Sequence, residues 1–357
     1  MPVGAPEAAK DVRVLIADDS LFMRHLLRRA LEASPRIIVV GEARDGAEAV
    51  QMNAELSPHV IVMDVEMPRV DGLTALGTIM AQKPVPVVMF SSLTGQGTET
   101  TIEALSLGAV DFLAKPESRI NITPIADELV RKVLSAASAR LRHRRRVPHR
   151  HQAEPRVPAV GGLSNSLVII GSSTGGPQAL DEVLTRLPRD LPTSVLVVQH
   201  MPAGFTKSMA VRLNGLAELP VSEAVEGDTF KRGAILIAPG GWHTRITVDK
   251  YPSVHLDQGA PVHGVRPSVD VTLMDAGPVF GPRLLVVILT GMGFDGAKGA
   301  KNARSLGATV FCQDEATSVV WGMPRACIEL GASDKVLPLP KIAGAITRFA
   351  RDAEEGA

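Results

Sequence analysis

Two successive series of short aliphatic runs, each separated by amphipathic stretches, constrain this chain more than any other feature. In the first series the runs fall at residues 12–17, 37–41, 60–63, 85–90 and 110–114. The segments between them read as helices; residues 20–33, for example, set Leu21, Leu26, Leu27 and Leu31 on one side. Such strand–helix repeats specify a parallel sheet with helices on both faces, because a strand buried on both sides needs a continuous rather than an alternating apolar run. The last helix of this series spans residues 123–139. A second series begins at Leu167, with strands expected at 167–170, 194–199, 234–238, 284–289 and 309–312. Helices are expected at 177–187, 205–214, 295–305 and 324–330. Residues 245–257 alternate around Asp249-Lys250 and read as an attached hairpin. The expected fold is α/β with two doubly wound parallel-sheet domains, the first flavodoxin-like, the second Rossmann-like with an added β-hairpin. The series share architecture but no internal sequence repeat.

A length of 357 residues agrees with two domains. The expected boundaries are 11–139 for the first domain, 140–165 for a linker and 166–353 for the second domain. Formal net charge is zero, yet residues 140–156 carry seven Arg against the single acid Glu154. With Pro148 and Pro155 and few apolar side chains, this stretch reads as a solvated Arg/Pro-rich linker. Aromatic residues make up only 3% of the chain and none interleaves those arginines, which argues against a nucleic-acid reader. Cys312 and Cys327 lie outside metal-ligand spacing and read as inert buried thiols. The first residues lack a basic stretch followed by an apolar one, and the run 284–289 is far short of a membrane span. The expectation is a cytoplasmic protein without membrane insertion.

In an open parallel sheet, ligands bind beyond the carboxyl ends of the strands. There the first series places Asp18 and Asp19, then Asp64, Ser91 and Lys115-Pro116. Three clustered carboxylates repel unless a cation joins them, and a hard ion such as Mg²⁺ suits a shallow oxygen site that also takes phosphate. With the metal on Asp18 and Asp19, Asp64 becomes a candidate aspartyl nucleophile toward phosphorus. Lys115 and Ser91 would face the phosphoryl oxygens. Asp19-Ser20 taken alone could simply start a helix. Together with Met67-Pro68 and Asp71-Gly72, these residues resemble a response-regulator receiver domain over residues 11–139. The resemblance implies that Asp64 accepts phosphate from a histidine kinase and that the Glu66 backbone carbonyl helps hold the metal. It also puts Phe112 at the position of the family's aromatic switch residue, often Tyr.

In the second series, Gly171-Ser172-Ser173-Thr174-Gly175 matches G-x-S-x-G directly after a strand and before a helix, which exposes Ser173 on a tight turn. A glycine-rich phosphate cradle is the alternative, although the loop lacks both the P-loop ending and the dinucleotide glycine pattern. A serine nucleophile needs a base. His200, in Gln199-His200-Met201-Pro202, ends the next strand on the same rim. The partner carboxylate should come from another strand end, which makes Asp295 the choice, unless it only caps the following helix. The order Ser–His–Asp differs from that of α/β-hydrolases, and triads are recognised by geometry.

These motifs, with Arg266-Pro267-Ser268-Val269-Asp270 and residues 289–296, resemble the chemotaxis-type protein-glutamate methylesterases, the CheB family, over residues 11–350. The resemblance implies a phosphorylation-activated serine esterase, with Ser173 as nucleophile, His200 as base and Asp295 as its partner. Thr174 would support the site and the Met292 backbone N–H would contribute to the oxyanion hole. The implied substrates are glutamyl methyl esters, and by the same acyl chemistry glutamines, on the cytoplasmic helices of chemoreceptors. Mg²⁺ is expected at the receiver site and no cofactor for the ester chemistry. The unphosphorylated receiver is expected to cover the esterase cleft. Phe294 stands where the family often has a small or polar residue. The rival expectation is a receiver-gated hydrolase or binding module in a non-chemotactic system.

Overall fold

The computed structural model describes residues 11–92, 95–115, 123–141 and 161–355. Most of the Arg/Pro-rich stretch, including His143, His149 and His151, lies outside the described residues, as does Pro116. The chain divides into two compact units, Met1–Leu141 and Arg142–Ala357.

The first unit contains β1 (Val12–Ala17), β2 (Ile37–Ala43), β3 (Val60–Asp64), β4 (Val87–Ser91) and β5 (Asp111–Ala114). These form one parallel sheet in the order β2-β1-β3-β4-β5. Every residue of β3 and β4 is buried, as their unbroken aliphatic sequence demands. The helices are α1 (Leu21–Glu32), α2 (Gly46–Leu56), α3 (Gly72–Gln82), α4 (Gly95–Leu107) and α5 (Thr123–Ala137). Side-chain caps start three of them. Ser20, Asp45 and Asp71 accept from the backbone N–H groups of Met23, Glu48 and Thr74. Ser20 rather than Asp19 thus caps α1, which leaves both aspartates before the helix.

The second unit contains β6 (Leu167–Ser172), α6 (Gly176–Leu184), β7 (Ser194–Gln199), α7 (Phe205–Leu216), β8 (Val221–Glu223) and β9 (Ile235–Ile237). It continues with β10 (His243–Val248), β11 (Pro252–Asp257), α8 (Val269–Phe280), β12 (Leu284–Ile288), α9 (Ala297–Ser305), β13 (Thr309–Gln313), α10 (Met323–Glu329), β14 (Lys335–Leu337) and α11 (Leu339–Glu355). Seven of these strands make a sheet in the order β14-β13-β12-β6-β7-β9-β8, parallel throughout. The chain leaves β6 toward β7 on one side and reaches β12 on the other, so the strand order reverses at β6. That is where an open α/β sheet has its ligand crevice. Strands β10 and β11 form the expected antiparallel hairpin, with Ile246 opposite Val254 and both side chains buried in the core.

The structure adds four elements that the aliphatic runs do not reveal. Strands β8 and β14 have three residues each at the sheet edges, too short to register as runs. Helix α8 buries Asp270 and Thr272 and carries Pro278, which obscures its apolar stripe. Helix α11 buries Ile342, Ile346 and Ala350 at helical spacing, a stripe made weak by its alanines. Among the described residues, no helix is long and apolar enough to cross a membrane.

Candidate active site

Parallel pairing of β6 with β7 sets Ser172 opposite Gln199, and the His200 N–H donates to the Ser172 carbonyl at 3.1 Å. Ser173 and His200 are thus the first residues beyond two adjacent strand ends. On the other flank, β12 pairs Ile288 with Gly171, and the Ser173 N–H donates to the Thr290 carbonyl at 3.1 Å. The loop leading to Asp295 therefore departs alongside Ser173. Gly291 permits this approach: a Cβ there would lie 2.9 Å from the Ser173 Cβ. After Ser173 the chain turns sharply into α6 through Gly175, whose φ of +74° lies in the left-handed region that glycine adopts without strain.

His200 Nε2 lies 2.8 Å from Asp295 Oδ2. Asp295 is not the cap of the helix that follows it; α9 begins at Ala297 with Gly296 as its cap. Its carboxylate instead reaches the N-terminus of α8. It accepts from the Ser268 hydroxyl (2.7 Å) and from the backbone N–H groups of Val269 (2.6 Å) and Asp270 (3.2 Å). A helix N-terminus favours an anion. Burial works to raise the Asp295 pKa, but the hydrogen bond and charge of His200, with the Ser268 and Val269 donors, outweigh it and hold the carboxyl below the ordinary range. An ionised Asp295 accepts only, so Nε2 carries the ring proton and Nδ1 is left with its lone pair.

Ser173 is half-buried, and among the described residues no hydrogen bond joins its Oγ to His200. A catalytic serine–histidine bond commonly closes only when substrate is present. Thr174 is buried, and the Thr290 hydroxyl lies 3.0 Å from its carbonyl. The Met292 N–H makes no hydrogen bond among the described residues, whereas the Gly291 N–H is bound to the Val320 carbonyl. Two further residues, to which the motifs assign no role, contribute to the site. Gln199 is fully buried; its Oε1 accepts from Ser172 Oγ at 2.6 Å, while its Nε2 donates to the carbonyls of Ser173 (3.0 Å) and His200 (3.2 Å). Ser268 caps α8 and binds Asp295. Both lie within the quoted motifs, but only the fold shows what they touch.

In the first unit, Lys115 Nζ lies 2.6 Å from Asp64 Oδ2 and 3.8 Å from Asp18 Oδ2. Carboxylate oxygens of Asp18, Asp19 and Asp64 fall within 4.8 Å of one another. Burial pushes the Asp64 pKa up to about 6 against the opposing charge of Lys115, and burial raises Asp18 likewise. Asp18 Oδ2 is buried with no hydrogen-bond partner. An all-oxygen cluster with an orphaned buried acceptor fits a hard divalent cation. The Glu66 N–H donates to Asp64 Oδ1 at 3.2 Å, so the loop after β3 folds back over the aspartate. Ser91 Oγ donates to the Gly97 carbonyl, in the first turn of α4, at 3.2 Å. Phe112 is buried, with Lys132 Nζ 5.4 Å from its ring centroid.

Residues 168–346 match the family model described as CheB methylesterase, and residues 14–127 match that of the response regulator receiver domain. A protein-glutamate methylesterase/protein-glutamine glutaminase of Symbiobacterium thermophilum is 50% identical over 353 residues, covering 95% of this chain and 97% of that one. Its namesake in Pyrococcus abyssi is 43% identical over 353 residues, covering 96% and 95%. Among solved structures, the Thermotoga maritima CheB methylesterase catalytic domain aligns with a TM-score of 0.51 at 44% identity, covering 52% of this chain and all of that one.

Proposed function

The chain belongs to the CheB methylesterase family, and from that premise we propose which residues carry out its reaction and how. The function is that of a protein-glutamate methylesterase and protein-glutamine glutaminase joined to a receiver domain, in keeping with chemotactic adaptation. We assign residues 11–139 to the receiver, 140–165 to the linker and 166–353 to the esterase.

Ser173 Oγ attacks the carbonyl of a glutamyl methyl ester while its proton passes to His200 Nδ1. The imidazolium is stabilised through Nε2–H by Asp295. The tetrahedral oxyanion takes the Met292 N–H, and Thr174 supports the turn that presents the nucleophile; one such donor is worth about 10²–10³ in turnover. Collapse expels methanol, which takes the proton from His200. Water, activated by the same nitrogen, then hydrolyses the acyl-enzyme and releases glutamate. With glutamine as substrate, ammonia leaves instead. These steps use only the chain's own groups and water. The observation that carries this reading is the 2.8 Å His200–Asp295 pair beside Ser173, on neighbouring strand ends.

The receiver implies a kinase as phosphodonor, and the esterase implies methylated chemoreceptors as substrate. We assign Asp64 as the phosphoacceptor, supplied by a histidine kinase. Asp18, Asp19, Asp64 and the Glu66 backbone carbonyl would hold Mg²⁺, which supplies charge neutralisation for the incoming phosphoryl group. Lys115, Ser91 and Phe112 would report the phosphorylated state. The protein would act in the cytoplasm on the receptors' cytoplasmic helices. The test is methanol release from methylated receptors by the intact protein, with and without a small-molecule phosphodonor. Stimulation by the donor supports the reading, and a protein that releases no methanol in either condition contradicts it.

A further inference from the structure

Phe294 is an exposed aromatic side chain at the edge of the site. Although it directly precedes the buried Asp295, its side chain is 54% exposed. It is not loose. Its ring meets the His263 imidazole edge-on, with centroids 4.7 Å apart at 67°. His263 sits in a tight turn closed by mutual hydrogen bonds between Val262 and Val265, with its own φ at +54°. Its Nε2 lies 3.0 Å from Asp270 Oδ2. Asp270 is anchored in turn: its Oδ1 accepts from the Gly299 N–H at 2.7 Å, and its own N–H donates to Asp295 Oδ1 at 3.2 Å. An exposed aromatic ring is thus fixed, through a histidine and an aspartate, to the carboxylate that orients His200.

We propose that Phe294, held by the His263–Asp270 pair, is a specificity-determining contact for the protein substrate: an apolar anchor against the helix that carries the glutamyl methyl ester. This rests on the substrate reading above and deepens it. A glutamyl side chain delivered to Ser173 brings its helix against the rim of the site, and Phe294 stands on that rim one residue from Asp295. The esterified side chain is neutral, so an uncharged aromatic ring at the rim meets it without the desolvation cost that a charge would bring. A ring already fixed in place loses little conformational freedom on docking. Half its surface gains nothing from the protein's own core and is available to a partner.

The test uses the full-length, phosphodonor-activated protein and two readouts: kcat/KM for methanol release from methylated receptor, and the rate of Ser173 labelling by a small fluorophosphonate. F294A should lose about tenfold in kcat/KM on the receptor, mainly through KM, as expected for an aromatic anchor, with labelling unchanged. F294L should retain most of the receptor activity, and H263A should shift it in the same direction as F294A. Receptor kcat/KM unchanged in F294A overturns the proposal. An equal loss in both readouts also overturns it, because the ring would then act through Asp295 alone. Wild-type protein that labels but releases no methanol contradicts the substrate reading itself, and the proposal with it.

Discussion

His200 turns Nε2, not Nδ1, toward Asp295, at 2.8 Å. The proton on Nε2 is thereby fixed and Nδ1 becomes the basic nitrogen. Asp295→Asn offers an amide that can donate to Nε2 and so favours the other tautomer. Turnover is expected to fall about 10³–10⁴-fold, as when a triad loses its tautomer control. Single-turnover acylation measures it directly, with circular dichroism to verify the fold.

The pH profile follows from the same carboxylate. Asp295 is held below its ordinary value of 3.8, so its charge, and the stability it contributes, is complete above that pH and is lost only as pH falls through the lowered value. Asp295 should therefore contribute no ionisation to the kcat/KM profile between pH 5 and 8. An ionisation in that window that disappears in Asp295→Asn would contradict the assignment.

Gln199 ties the carbonyls of Ser173 and His200 to a single amide nitrogen. Gln199→Glu keeps the shape but removes that donor. The two carbonyls lose their shared partner inside a buried site, at a cost of about 1–3 kcal/mol. Urea denaturation should show that loss, and fluorophosphonate labelling should slow.

For the receiver, the sign is reversed. Burial raises Asp64 to about 6, so the folded receiver prefers the protonated acid. Without divalent metal, stability should decline as pH rises from the unfolded value toward 6 and stay low above it. Asp64→Asn removes the buried charge and should stabilise metal-free protein at pH 7.5 by on the order of 2–3 kcal/mol, an advantage that vanishes near pH 3.5. Calorimetry in the presence of a chelator checks both ends. Equal stability of the two proteins at pH 7.5 would contradict the buried-charge account.

Much of this architecture is legible in the sequence because burial on both faces leaves a direct trace. The unbroken runs that become β3, β4, β6, β7 and β12 cannot be half-exposed strands. Ser173 and His200 are legible for a related reason, since both directly follow such runs. What the chain conceals depends on contacts between distant segments. The residues at 268–270 do not reveal that their donors converge on Asp295, because only the packing of α8 against the loop after β12 brings them together. Gln199 reads as the last residue of a strand until pairing places Ser172 opposite it. The orientation of Phe294 likewise depends on the turn at His263, thirty-one positions upstream by the numbering.

The most direct test is methanol release from methylated receptor by intact Ser173→Ala protein, with phosphodonor present and Asp64 phosphorylation followed in parallel. The account predicts normal phosphorylation and release lowered to background. Release near the wild-type rate by that variant would mean that the ester is opened by another group, and the roles given to His200 and Asp295 would fall with it.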